Sequence, residues 1–405
     1  MLPPDYPLFN LFAGKRVHLG LTGSVAAFKA VDLLRLLRES SIDTGVTITR
    51  SARAFLGPLT LSALGADPVY CSEDNNLDPY SHLAPARSAQ SLIISPATAN
   101  ILAKAANGIA DDLLSTQILA FGRSVVFCPA MNPEMWSNQA TQENIQRLKS
   151  RGHLIIEPHE GRVACGDQGQ GRLAPTQVIY YHLLRTLASQ DMAGKSILVT
   201  AGPTHEYFDL VRFFSNPSSG RMGLAIALAC WLRGANVYFV HGPMSPVFCL
   251  PGFEVLPVTK ASEMLEACLS VWDGCGAGFF TAAVSDFAPE PCSQPKFKKK
   301  NLEVLHIEMK SNPDILANLS SRKKKNQVTI GFAAEAMDLE ANARLKLSQK
   351  NLDMIVANLV EPGRTPFGSL DSQVMVMDRN GRTESWPCLA KSDIAWRLID
   401  WLSLI

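Results

Sequence analysis

Several groups of side chains in this 405-residue chain have types and spacings that could do chemistry. Cys165 and Arg172 lie in Ala164-Cys165-Gly166-Asp167-Gln168-Gly169-Gln170-Gly171-Arg172, a stretch too rich in glycine to be core. It reads as an exposed loop of the kind that closes over an active site. A cysteine there is either incidental or, beside an arginine, an acid–base group. A second group could grip anions. Asp286 follows the apolar run 282–284, and Lys296 and Lys298 come next in Pro295-Lys296-Phe297-Lys298. Asn312-Pro313-Asp314-Ile315 opens a helix, Phe332 lies near a strand end, and Lys346 and Lys350 are spaced i, i+4. An acid at a strand end with lysines converging from a loop and a helix is how a triphosphate and its metal are held. No Walker pattern is present, so this is not a P-loop enzyme. Arg212 and Asn216 lead into Ser218-Ser219-Gly220, which is either an anion site at a helix start or simply a well-capped helix. In the first half, Thr22-Gly23-Ser24, Thr49, Thr98-Ala99-Asn100 and Pro129-Ala130-Met131-Asn132 are polar loops at the ends of apolar runs. The first has one glycine rather than G-x-G-x-x-G, so it could hold a single phosphate or be an ordinary N-cap. His82, in a loop rich in proline and alanine, reads by itself as a surface histidine.

Short apolar runs bounded by glycine or proline must position these groups, and such runs read as buried parallel strands. They fall at 17–21, 46–49, 91–95, 124–128 and 154–156, with helical patterns at 25–37, 98–106, 133–150 and 177–189. A second series begins at 197–200 and continues at 236–240, 278–284, 328–333 and 354–357, with helices near 219–233, 262–271 and 339–350. Alternation of this kind predicts α/β architecture: two doubly wound parallel-sheet domains, flavodoxin-like and Rossmann-like, meeting near residue 190. Residues 373–377 and 382–386 flank Asp378-Arg379-Asn380-Gly381, which predicts an antiparallel hairpin at the C-terminal edge of the second sheet. A closing amphipathic helix over 390–402 would cover it.

Composition excludes whole classes. A net charge of +1 gives no basic field for nucleic acid or an anionic membrane. No apolar run reaches the roughly 18 residues of a membrane span, and the first residues lack the basic region of a signal peptide. The nine scattered cysteines form no disulfide framework or zinc spacing, so they read as reduced thiols of a cytoplasmic protein.

The motifs of the first half resemble the flavin-dependent cysteine decarboxylases. The resemblance rests on Gly20-x-Thr22-Gly23-Ser24-x-Ala26-Ala27-x-Lys29, His82, Pro96-Ala97-Thr98-Ala99, Pro129-Ala130-Met131-Asn132 and the Cys165 loop, in order over most of 14–180. It implies a homotrimeric unit that binds FMN through Gly23, Ser24, Thr49, Thr98, Ala99 and Asn100. It also implies that the thiol of a substrate cysteine is oxidised, carbon dioxide is lost, and the enethiol is reduced again. Asn132 would then hold the departing carboxylate, His82 would act as base or electrostatic partner, and Cys165 would supply the final proton. His82 is followed by Leu83-Ala84-Pro85, where relatives usually carry Ile or Val and then a polar residue.

The second half resembles the CTP-using phosphopantothenate–cysteine ligases, chiefly through Ser215-Asn216-Pro217-Ser218-Ser219-Gly220-Arg221-Met222-Gly223. Many relatives carry lysine at position 221. The resemblance puts Arg212 and Asn216 at the phosphopantothenate carboxylate or acyl-cytidylate. It puts Ser219, Gly220, Asp286, Phe332, Lys346 and Lys350 at the substrates or nucleotide, with Asn312, Pro313, Asp314 and Ile315 beside it. Lys296 would stabilise charge as cysteine attacks, with Lys298 as a second candidate. Mg²⁺ would arrive on the nucleotide phosphates, with no protein ligands assigned. Together the two resemblances imply consecutive steps of coenzyme A synthesis acting on 4′-phosphopantothenate, cysteine and CTP. Relatives assemble as trimers through the first half and dimers through the second, which together would allow a dodecamer. The rival readings are a decarboxylase of peptidyl cysteine, opposed by the intact second half, and a phosphatase-inhibiting flavin-fold subunit, opposed by the lack of an acidic tail.

Overall fold

The computed structural model describes residues 6–71, 79–290, 304–335, 337–360 and 368–402. The chain divides into two compact units, Leu8–Ala188 and Ser189–Ile405, with Tyr6 and Pro7 belonging to the second.

In the first unit the strands are β1 (Arg16–Leu21), β2 (Asp43–Ile48), β3 (Val69–Cys71), β4 (Ser91–Ala97), β5 (Val125–Pro129) and β6 (Leu154–Ile155). They form one parallel sheet in the order β3-β2-β1-β4-β5-β6. β4 and β5 are buried along their whole length, as strands covered by helices on both faces must be. The edge strand β3 was not legible as an apolar run, because only Cys71 of its three residues is buried. The predicted helix over 133–150 is two helices, Pro133–Ser137 and Gln139–Ser150. Asn138 breaks it: its Oδ1 accepts the Ala140 N–H at 3.0 Å and caps the second helix. Of the glycine-rich stretch, the end forms β8 (Gln168–Arg172), paired antiparallel with β7 (His159–Arg162), and residues 164–167, with Cys165, are the exposed turn between them.

Helix Leu113–Ala120 starts with a reciprocal cap between Asp112 and Ser115, and Asp112 also pairs with Lys104 at 2.7 Å. Burial raises the Asp112 pKa, but the Lys104 ammonium and the Ser115 N–H outweigh it and hold the carboxyl below its usual range. Asp112→Ala should therefore cost about 1–2 kcal/mol of stability in denaturant unfolding. With the folded-state pKa depressed, that contribution is present above the unfolded-state pKa and lost as pH falls through the folded-state one. The two proteins should converge in acid.

The second unit repeats the plan. β9 (Ser196–Ala201) leads to a short pair, β10 (Glu206–Tyr207) with β11 (Phe213–Phe214), and the sheet continues with β12 (Asn236–His241), β13 (Phe253–Pro257) and β14 (Ala277–Phe280). After a small antiparallel pair, β15 (Phe287–Pro289) with β16 (Met309–Ser311), come β17 (Val328–Glu335), β18 (Met354–Leu359), β19 (Asp371–Asp378) and β20 (Thr383–Ala390). The order is β13-β12-β9-β14-β17-β18-β19-β20, parallel except for β19 and β20. The predicted hairpin is thus present at the sheet edge. Asp378 Oδ1 accepts from the Asn380 and Arg382 N–H groups, and Gly381 takes φ +91°. β14 stops short of the expected 284. The Thr281 hydroxyl and the Ala282 N–H bond to Thr200, which interrupts the ladder, and beyond it only Ala283 pairs again, in an isolated parallel bridge with Pro203. Helix Arg221–Leu232 is buried from Gly223 to Leu232, which places it between the sheet and the C-terminal helix Lys391–Leu402.

In both units the strand order reverses between the first and fourth strands. That is where open parallel sheets form a crevice at their carboxyl ends.

Candidate functional sites, one in each unit

The crevice of the first unit gathers the loops after β1, β2, β4 and β5. Thr22 ties two of them together: its Oγ1 donates to the Pro96 carbonyl at 2.7 Å and accepts from the Thr98 N–H at 3.0 Å. The Ala130 N–H reaches the Ala97 carbonyl and draws in the next loop. Ser24 caps the turn that follows, Thr49 Oγ1 donates to the Leu21 carbonyl, and both side chains are half-buried at neighbouring strand ends. A Cβ on Gly23 would lie 2.4 Å from Ser51 Cβ, so the backbone there lies hard against the β2 loop.

Asn132 caps helix Pro133–Ser137 through Oδ1, which leaves its amide N–H pointing outward. Nδ2 lies 2.5 Å from Asp167 Oδ2 and 3.5 Å from Cys165 Sγ, and the thiol donates to the same Asp167 oxygen at 3.2 Å. The β7–β8 hairpin is fastened to this spot by the Met131 N–H on the Gly171 carbonyl, at 3.0 Å. A Cβ on Gly171 would sit 2.3 Å from the Met131 carbonyl oxygen, so only glycine allows that approach. Cys165 and Asn132, far apart in sequence, are therefore neighbours. Asp167, which joins them, was not singled out by sequence: a carboxylate among glycines carries no pattern of its own. His82 lies in a half-buried turn before helix Ala84–Ser88, held by Gln117 Nε2 on the Ser81 carbonyl at 3.0 Å. Pro85 occupies the first turn of that helix, where a missing N–H does no harm.

The second unit holds a cavity of about 550 Å³. Its wall contains Asn216, Ser219, Gly220, Asp286, Asn312, Pro313, Asp314, Ile315, Phe332, Lys346 and Lys350, all singled out by sequence. Gly220 enters helix Arg221–Leu232 at φ +68°, and a Cβ there would meet Met244 Sδ at 2.4 Å. Asn216 Nδ2 donates to the Val284 carbonyl and Asn312 Nδ2 to the Ser285 carbonyl, so both amides shape the strand-end loop that carries Asp286. Lys346 pairs with Glu335 at 2.6 Å and Lys350 with Asp314 at 2.7 Å. Burial raises the Asp314 pKa, but Lys350 and the Ala317 N–H more than offset it and hold the carboxyl low. Lys350 is the cap after helix Leu339–Gln349 rather than part of it.

Arg212 is not in this wall. It follows the buried Asp209, whose Oδ1 accepts the Val211 and Arg212 N–H groups at 2.7 Å and whose Oδ2 lies 3.5 Å from the guanidinium. Lys296 and Lys298 lie outside the described residues. Conversely, Asn358, Ser372 and Lys391 line the cavity with no motif to announce them. Among the described residues no cluster of three or more His, Cys, Asp or Glu is placed to hold a metal, and no helix is long and apolar enough to cross a membrane.

Comparison with known proteins matches both units. The flavoprotein family model covers residues 11–187, and the DNA/pantothenate metabolism flavoprotein C-terminal domain covers 192–404. The chain is 40% identical over 390 residues to the coenzyme A biosynthesis bifunctional protein CoaBC of Bacillus subtilis (strain 168), covering 95% of this chain and 96% of that one. It is 38% identical over 383 residues to the protein of that name from Escherichia coli (strain K12), covering 91% and 92%. A crystal structure of the C-terminal domain of CoaBC aligns with 53% of this chain and 97% of its own, at 34% identity and TM-score 0.45. This chain belongs to the bifunctional coenzyme A biosynthesis family, which carries a flavoprotein decarboxylase and a ligase in one polypeptide.

Proposed function

We propose that residues 191–405 join 4′-phosphopantothenate to cysteine at the expense of CTP, and that residues 1–190 decarboxylate the product to 4′-phosphopantetheine with FMN. The observation that carries the ligase reading is the second cavity, where two lysines and a serine–glycine helix start surround space for a nucleotide and a second substrate. The substrate carboxylate attacks the α-phosphorus of CTP and pyrophosphate leaves. The cysteine amine then attacks the acyl carbon and CMP leaves. Asn216 and Arg212 orient the carboxylate, Arg212 from the neighbouring β10–β11 segment. Lys346, Lys350, Ser219 and Gly220 bind the phosphates, with Asp286, Phe332 and 312–315 beside the nucleotide and Mg²⁺ arriving on its phosphates. Lys296, or Lys298 in its place, offsets the charge that develops at the acyl carbon.

In the first unit the residues fit FMN. Half-buried hydroxyls of Ser24 and Thr49 at adjacent strand ends suit its phosphate, and the loop with Gly23 and that with Thr98, Ala99 and Asn100 flank the switch point for its ring. When bound, FMN takes up and returns the substrate's electrons. Asn132 Nδ2 binds the departing carboxylate in the place Asp167 now fills, His82 supplies a base or a positive partner, and Cys165 Sγ delivers the last proton. The exposed Leu210, Val211, Phe213 and Phe214 around β11 support self-association of the second unit. We extend this to dimeric ligase and trimeric decarboxylase units in a cytoplasmic enzyme.

The direct test of the ligase reading is nucleotide chemistry. With 4′-phosphopantothenate, cysteine and Mg²⁺, CTP should give CMP and pyrophosphate, and omitting cysteine should stop turnover at the acyl-cytidylate. Cysteine-independent hydrolysis to CDP would contradict it.

A further inference from the structure

Lys391 is the first residue of helix Lys391–Leu402, is 8% exposed, and faces the ligase cavity with Asn358 and Ser372. A cation is poorly placed at a helix start, where the aligned peptide dipoles present their positive end. Arg221 begins the adjoining helix Arg221–Leu232 and lines the same cavity, its guanidinium donating to the Gly368 carbonyl. Two helix starts and two cations therefore converge on one end of the cavity. Burial, and then the charge of Arg221, lower the Lys391 pKa to about 8, against a raising effect from Asp371. An anion in the cavity would relieve all of these at once.

We infer that Lys391, together with Arg221, is a phosphate-binding residue of the ligase site, closing on a phosphoryl group of a bound substrate. Neither sequence motifs nor family resemblance singled out this lysine. The inference rests on the ligase reading above. The phosphoryl group could belong to the nucleotide or to the phosphate ester of phosphopantothenate.

The test is calorimetric binding of CTP, pyrophosphate and 4′-phosphopantothenate to the full-length protein, its Lys391→Met variant and its Lys391→Arg variant. Thermal unfolding of each variant accompanies the titrations. Lys391→Met should bind at least one ligand about tenfold or more weakly, the scale of losing one charge-assisted bond. Lys391→Arg should keep most of the affinity. Loss confined to CTP and pyrophosphate assigns the lysine to the polyphosphate, and loss confined to phosphopantothenate assigns it to the ester. Unchanged binding of all three ligands by Lys391→Met overturns the inference. So does equal weakening by both variants, which would make the lysine a packing element. If Lys391→Met does not fold, wild-type-like affinity in Lys391→Arg sustains the inference and loss of affinity there overturns it. Failure of the wild-type protein to bind CTP or phosphopantothenate would instead sink the ligase reading itself.

Discussion

Cys165→Ser should leave decarboxylation running and stop the reaction one step later. Serine fills nearly the same space, and its hydroxyl can keep the 3.2 Å bond to Asp167 Oδ2. The contact that fastens the β7–β8 hairpin, the Met131 N–H on the Gly171 carbonyl, does not involve the sulfur at all. The hairpin should therefore close and the carboxylate should still depart. What changes is acidity: an alcohol is a far weaker proton donor than a thiol, and a positioned acid typically contributes about 10²–10⁴-fold. Mass spectrometry should show a decarboxylated product lighter than 4′-phosphopantetheine by one pair of hydrogens, with ligation untouched. The fully reduced product at the wild-type rate would show that the proton comes from elsewhere.

Removing Lys346 and Lys350 together should all but abolish ligation. Each lysine neutralises a carboxylate of the same wall, Glu335 and Asp314 respectively. Alanine there deletes a phosphate partner and also leaves a bare carboxylate facing the incoming triphosphate, so the loss exceeds that of one contact. Two charge-assisted contacts at about 1.5–3 kcal/mol each correspond to a fall of roughly 10²–10⁴ in kcat/KM for CTP. The effect should be weaker in a variant that also carries Asp314→Asn and Glu335→Gln, because the repulsion is then gone. Decarboxylation of supplied phosphopantothenoylcysteine should proceed at the wild-type rate throughout. A double alanine variant with unchanged KM for CTP would remove these lysines from the nucleotide site.

Much of this is legible in the sequence, and the reasons are physical. Strands such as β4 and β5 are buried on both faces, so they must be nearly continuous apolar runs, and the hairpin at 371–390 carries its own turn chemistry in Asp378 and Gly381. β3 and β13 escaped notice because edge strands are covered less and need fewer apolar residues. Residues 282–284 looked like strand because a cavity wall can be as apolar as a sheet core. Among the candidate residues, Asn132 and Cys165 are neighbours in the first unit, and Asn216, Ser219 and Gly220 share the cavity wall of the second. Arg212 lies outside that wall, in the loop turned by the buried Asp209 three residues earlier, and nothing in the spacing reveals that burial. Lys391 was invisible for the opposite reason. A lysine at the start of an amphipathic helix reads as solvated surface, and only the packing of Lys391–Leu402 against Arg221–Leu232 turns it toward the cavity.

The central claim is that one chain runs two consecutive steps at two separate sites. The measurement that tests it most directly is mass spectrometry of the products formed by the purified, FMN-loaded protein from 4′-phosphopantothenate, cysteine, CTP and Mg²⁺. The account predicts 4′-phosphopantetheine, with phosphopantothenoylcysteine appearing first and then declining. Intact substrates, or phosphopantothenoylcysteine that accumulates and goes no further, would contradict it.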